Sequence, residues 1–165
     1  MAVPRTIAVK ELMTRDAKTV GPNDTLDVAA KLMWDRDCGC LPVINGDGGV
    51  VAMLTDRDIC MAAYSQGAPL ATIRVATAMS KEVHACREQD TLVAAERIMR
   101  ERRIRRLPVV ATDGRLVGIL SLNDIAREAA REHVPPTREA SAEGLTQTLA
   151  AICEPRAGAG AGAAA

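Results

Sequence analysis

The chain repeats itself at an interval of 66 residues. Residues 9–60 align with 75–126 without a gap, and 17 of the 52 positions are identical. The shared positions include Asp24-Thr25 and Asp90-Thr91, Leu41-Pro42-Val43 and Leu107-Pro108-Val109, and Asp58-Ile59 and Asp124-Ile125. Self-similarity of this kind marks a duplicated structural unit. A fold of about 50 residues buries too little surface to stand alone. The two copies are therefore expected to pack sheet to sheet as one body with approximate twofold symmetry, which creates two related clefts between them.

Within each copy the local signals run in the same order. Asp24-Thr25 and Asp90-Thr91 are helix starters, because a short polar side chain can accept from the free N–H groups of a first turn. Leu26, Ala29, Ala30 and Met33, matched by Leu92, Ala95, Ile98 and Met99, then form one helical stripe. Leu41–Ile44 and Leu107–Val110 read as strands, with a proline that belongs at a strand start or edge. Asp47-Gly48 and Asp113-Gly114 read as hairpin turns. Val50–Leu54 and Leu116–Leu120 return as second strands, and closing helices open at Thr55 and Ser121. With a short strand near Thr19-Val20 and His84–Cys86, the expected class is α/β (α+β), two β-α-β-β-α repeats.

Composition narrows the function classes. The 165 residues carry 21 Lys+Arg and 21 Asp+Glu, with one Trp, one Tyr and no Phe. A neutral chain without an aromatic platform argues against nucleic acid as a partner. No apolar stretch approaches the roughly 18 residues that span a bilayer, so no membrane partner is expected. The N-terminus shows no secretory signal, which points to the cytoplasm. In that reducing setting the five cysteines are expected as free thiols, packed as small hydrophobes. Cys38-Gly39-Cys40 is too closely spaced for a zinc pair, and no metal site is expected. Nor is there a plausible nucleophile, base and orienting group, so no enzyme is expected.

Val9-x-x-Leu12-Met13-Thr14, the two Leu-Pro-Val strings, Leu54-Thr55-Asp56-Arg57-Asp58-Ile59 and Leu120-Ser121-Leu122-Asn123-Asp124-Ile125 resemble a tandem pair of cystathionine-β-synthase (CBS) domains, the Bateman module. The resemblance covers residues 6–131. It divides them into CBS domains at 6–66 and 72–131, leaving 132–165 as a linker, a short C-terminal helix on Leu145, Leu149 and Ile152, and a disordered Ala/Gly tail. The stand-alone pairs of actinobacteria, of the hypoxic response type, are the most similar group. The resemblance implies a sensor of adenosine nucleotides (AMP, ADP or ATP, in some cases S-adenosylmethionine or NAD), dimerised into a disc, with no catalysis of its own.

Thr55-x-x-Asp58 and Ser121-x-x-Asp124 admit two compatible readings. One is a helix cap of the capping-box type, with Asp in place of the usual Glu or Gln. The other is a phosphate seat at a helix N-terminus, with a carboxylate one turn inside that accepts from ribose hydroxyls. The resemblance favours the second reading, with Asp58 and Asp124 on ribose and Thr55 and Ser121 on phosphate. It also implies that a basic residue before Leu-Pro-Val reaches the phosphates. The second copy has Arg105-Arg106 there and the first only Gly39-Cys40, while Arg57 in the first motif faces Asn123 in the second. On this basis the Asp124 cleft is the expected seat of a charged nucleotide. The adenine walls would be Ala17 and Val20 for one cleft and Val83 and Ala85 for the other, completed by Met53 and Ile119.

Charge is unevenly spread, with 7 basic and 9 acidic side chains in residues 1–66 against 12 and 9 in 67–132. Neutrality thus hides a basic region around Arg100–Arg106, suited to a polyphosphate or an acidic partner. The expected function is a non-catalytic sensor that binds an adenine nucleotide between the repeats and signals through a homodimer or a regulated protein partner. A scaffold with degenerate clefts and a thiol-based redox-responsive protein are the alternatives.

Overall fold

Asp24 and Asp90 turn the chain into the first helix of each copy in the same way. The carboxylate of Asp24 accepts from the Gly21 amide at 2.7 Å and that of Asp90 from the Arg87 amide at 2.8 Å. The computed structural model of the chain describes residues 6–131 and 142–153. Its elements are α1 (Val9–Leu12), α2 (Leu26–Asp35), β1 (Cys40–Ile44), β2 (Val50–Thr55), α3 (Asp56–Gln66), α4 (Val75–Ala78), β3 (Cys86–Arg87), α5 (Leu92–Arg102), β4 (Arg106–Val110), β5 (Leu116–Ser121), α6 (Leu122–Arg131) and α7 (Ala142–Cys153).

Each copy is built on one antiparallel hairpin. β1 pairs with β2 through Leu41–Leu54 and Pro42–Met53, and β4 pairs with β5 through Leu107–Leu120 and Pro108–Ile119. Both hairpins turn on a glycine at φ +82°, Gly48 and Gly114, a conformation that costs glycine little. β3 adds to β4 in parallel. In the first copy the equivalent strand is reduced to a single parallel bridge between Val20 and Val43. Pro108 consequently lies in a middle strand, not at an edge. This is tolerated because β3 pairs only with Val109 and Val110, so no neighbour asks for an amide at Pro108.

The copies are tied together by exchange. The first core comprises Val20, Leu26, Ala29, Met33, Leu41, Val43, Ala52, Leu54, Ile59 and Ala62, and it is completed by Ile73 and Val75 from the segment leading into the second copy. The second core, around Leu92, Met99, Leu107, Leu120 and Ile125, is completed by Ile7, Val9 and Met13 from the start of the first copy. Main-chain bonds repeat the exchange at equal length. The amides of Leu26 and Leu92 donate to Ile73 O and Ile7 O at 2.9 Å, and those of Val75 and Val9 to Asp24 O and Asp90 O at 2.9 Å. Gly49 and Arg115, equivalent positions in the repeat, form a bridge with each other and so mark the pseudo-twofold axis.

α7 lies on α5 and α6, with Leu145 and Ile152 against the second core. Among the described residues no helix covers the matching face of the first copy. There Trp34, Tyr64 and Met61 stand 87%, 83% and 52% exposed on α2 and α3. The Ala/Gly tail and the segment 132–141 lie outside the described residues.

Candidate functional site

β2 runs directly into α3 and β5 into α6, so Thr55 and Ser121 end a strand and cap a helix at once. At Thr55 the capping box is complete: its hydroxyl accepts from the Asp58 amide at 3.2 Å, and Asp58 Oδ2 accepts from the Thr55 amide at 2.9 Å and from its hydroxyl at 2.6 Å. Ser121 and Asp124 repeat this, with 3.3, 2.8 and 2.6 Å. The cap therefore exists, and each hydroxyl proton is committed to the aspartate. What separates the two sites is the other carboxylate oxygen. Asp124 Oδ1 is held in an ion pair by Arg127, one turn further along α6. The equivalent residue in α3 is Met61, and among the described residues Asp58 Oδ1 has no hydrogen-bonding partner.

Two clefts lie between the copies. The Asp58 cleft has a volume of about 460 Å³ and brings Met53, Thr55, Arg57 and Asp58 of the first copy together with Arg103, Ile104, Arg105 and Arg106 of the second. The Asp124 cleft, about 370 Å³, brings Ile119, Ser121, Asn123, Asp124 and Arg127 of the second copy together with Ala17, Lys18, Cys38, Gly39 and Cys40 of the first. Arg106 and Cys40 line both.

This placement corrects the expected position of the arginines. Each cleft joins the helix N-terminus of one copy to the chain entering the Leu-Pro-Val strand of the other. Arg105 therefore faces Asp58 and not Asp124, and Gly39-Cys40 face Asp124. Among the described residues the side chains of Arg57, Arg105 and Arg106 make no hydrogen bond or ion pair. In the Asp124 cleft, by contrast, Lys18 is paired to Asp16 at 2.8 Å and Arg127 to Asp124. The Asp58 cleft thus holds the uncommitted positive charge, in the fork geometry that suits phosphate.

Three of the expected apolar walls stand elsewhere. Val20 is 3% exposed and belongs to the first core, where its main chain bonds Pro42 and Ile44. Val83 and Ala85 do not line the Asp58 cleft; Glu82 and His84, of the opposite parity, do, alongside Ser80. Ile104 and Met53 form the apolar side of that cleft. Applying the 66-residue offset to Ala17 and its neighbours points to this region, but parity decides which side chains enter. Cys40 is held as a neutral thiol, because burial pushes its pKa up to about 11 against the lesser pull of Arg106.

No group of three or more His, Cys, Asp or Glu among the described residues is placed to hold a metal ion. No helix among them is long and apolar enough to cross a membrane.

The family model of the CBS domain matches residues 9–65 and 75–131. The CBS domain-containing protein YhcV of Bacillus subtilis is 40% identical over 119 residues, covering 72% of this chain and 83% of that protein. Hypoxic response protein 1 of Mycobacterium tuberculosis is 30% identical over 148 residues, covering 90% and 95%. Among solved structures, the CBS domain pair of protein MJ0100, in complex with 5′-methylthioadenosine and S-adenosyl-L-methionine, superposes with a TM-score of 0.67 at 25% identity, covering 74% of this chain and 98% of that one.

Proposed function

Because the chain belongs to the CBS domain family as a tandem pair, we propose that it is a non-catalytic regulatory module that binds an adenosine nucleotide (AMP, ADP or ATP) in the Asp58 cleft. The observation that carries this reading is the set of three uncommitted guanidinium groups, Arg57, Arg105 and Arg106, beside a carboxylate oxygen of Asp58 with no partner among the described residues. A ribose diol would donate to Asp58 Oδ1, and the phosphates would accept from the arginines. Adenine would lie against Met53 and Ile104. The adenosine-derived ligands of the MJ0100 pair support the ligand class.

The module acts in the cytoplasm as a homodimer. It joins through the exposed α2–α3 face, which carries both aromatic side chains of the chain and whose counterpart is already covered by α7. Nucleotide binding draws the copies together across the cleft, and a partner protein reads the resulting dimer geometry.

A thermal-shift panel with AMP, ADP, ATP, S-adenosylmethionine and NAD tests the ligand. A true ligand at a hundred times its Kd adds about 2.7 kcal/mol of stability. Asp58→Asn, which retains a capping side chain, is expected to weaken nucleotide binding about tenfold or more through the lost charge-assisted bonds to ribose. Asp124→Asn is expected to leave the tight site in place. Absence of any shift with millimolar nucleotide would sink the reading.

A further inference from the structure

Arg106 and Cys40 are equivalent positions of the repeat, and both stand where the two clefts meet. Only one of the pair carries charge. The thiol of Cys40 is neutral, and the half-buried guanidinium of Arg106 has no partner among the described residues. Gly39 lies beside it: a Cβ there would be in ordinary contact with Arg106 Nη2 at 3.5 Å, and the close approach, 2.9 Å, would be to Asp56 Oδ2. Two phosphates that both turn to Arg106 must divide its five donors and its single positive charge between them. Beyond Arg106, Arg36 is the one cation outside an ion pair among the described residues lining the Asp124 cleft, and that side chain is exposed and within electrostatic reach of Asp16.

We propose that the two clefts share Arg106 and are therefore antagonistic toward phosphate: a phosphate-bearing nucleotide in the Asp58 cleft draws Arg106 to itself and lowers the affinity of the Asp124 cleft for a second one, but not for an uncharged nucleoside. This rests on the nucleotide reading of the Asp58 cleft given above. Two effects act in the same direction. The second phosphate loses its one half-buried, uncommitted cation, and it meets the charge of the first across the wall that Cys40 and Arg106 form between the clefts. An uncharged ribonucleoside feels neither, so the Asp124 cleft becomes selective for nucleoside-like ligands once the first cleft is filled.

Calorimetric titration of the full chain with AMP, and separately with adenosine, tests this in wild type and in Asp58→Ala, where the first cleft no longer fills. AMP is expected to bind the Asp124 cleft roughly tenfold or more tightly in Asp58→Ala than as the second event in wild type. Adenosine should bind that cleft equally in both. Arg106→Gln should weaken AMP in both clefts and narrow the gap between the second event and binding in the Asp58→Ala background to what direct repulsion between the two phosphates leaves. Equal AMP affinity of the Asp124 cleft with the first cleft filled or empty overturns the proposal, as does failure of AMP to bind that cleft in either protein. Loss of AMP from only one cleft on Arg106→Gln overturns it too. If neither probe binds wild type at all, the nucleotide reading falls and the coupling with it. Tight AMP binding at Asp58 without coupling removes the coupling alone. Should Asp58→Ala fail to melt cooperatively, Asp58→Asn serves in its place, since an Asn carbonyl oxygen can still accept from the Thr55 amide and hydroxyl.

Discussion

Cys86 and Val20 hold the same place in the two copies, each buried and each paired in parallel to the valine of a Leu-Pro-Val strand. Burial pushes the Cys86 thiol from its ordinary 9.0 up to about 12, and Cys40 up to about 11. Both folded-state values lie above the unfolded ones, so this contribution is complete below pH 9 and is lost as pH rises toward 11–12. In that window the unfolded chain releases thiol protons that the folded chain keeps, at about 1 kcal/mol per pH unit for each thiol. Cys86→Val, the residue its own repeat uses there, should remove one share of this alkaline loss. Denaturant unfolding under reducing conditions at pH 8, 9 and 10 measures it, and parallel curves for the two proteins would refute the assignment. The same residues show what was legible in the sequence. Thr55-x-x-Asp58 could be read because a cap is a local device that needs nothing beyond its own four residues. Val20, Val83 and Ala85 were expected in the clefts because strands of one or two paired residues give no alternation from which to tell the cleft side from the core side.

At the level of elements, the helix-strand-strand-helix order of each copy followed from the repeat, whereas the short helices α1 and α4 did not, and the second strands end only one residue later than their apolar runs, at Thr55 and Ser121. The partner of a short element was not legible. α1 carries Val9 and Leu12 on one side whether it packs on its own copy or on the other, and only the fold shows that it completes the second core. One glycine controls how closely it can approach. Thr14, just after α1, pairs with Ile119 through amide–carbonyl bonds of 2.9 Å in both directions. Its counterpart Ser80 returns only one main-chain bond to Met53, and its hydroxyl accepts the second at 3.0 Å. The difference lies in the neighbouring strand. A Cβ on Gly118 would come within 2.8 Å of Thr14 O, whereas the first copy has Ala52 at that position and its chain stands off to a side-chain bridge. Gly118→Ala should therefore destabilise the protein by about 1–3 kcal/mol through overpacking. It should also speed exchange of the Ile119 amide, read by hydrogen exchange. Unchanged stability and protection would show that Thr14 can shift at no cost.

Across the whole molecule, the zero net charge conceals an acidic first copy and a basic second one, and the exchange between copies decides where that charge acts. Each cleft takes its helix N-terminus from one copy and its strand entry from the other, so the arginines of the second copy serve the aspartate of the first. Counting charges along the chain could locate the basic segment, but could not say which carboxylate it faces, because that depends on the twofold packing. The exchange also governs how the molecule unfolds. Ile73 and Val75 stand at the entry to the second copy yet belong to the first core, and Ile7 and Val9 stand at the entry to the first copy yet belong to the second. Neither core can open without stripping apolar side chains from the chain that anchors the other. Leu26→Ala, a fully buried site in the first core, should cost about 2–5 kcal/mol. It should lower a single transition, with calorimetric and van't Hoff enthalpies still equal. Leu92→Ala, its equivalent in the second core, should shift the same transition by a similar amount. If either variant instead splits the transition, with one copy melting ahead of the other, the two halves are separate folding units and the exchanged segments do not couple them. A single transition means that a ligand held in one cleft would stabilise both copies together, which is the linkage the proposed regulatory function requires to pass occupancy from a cleft to a distant face.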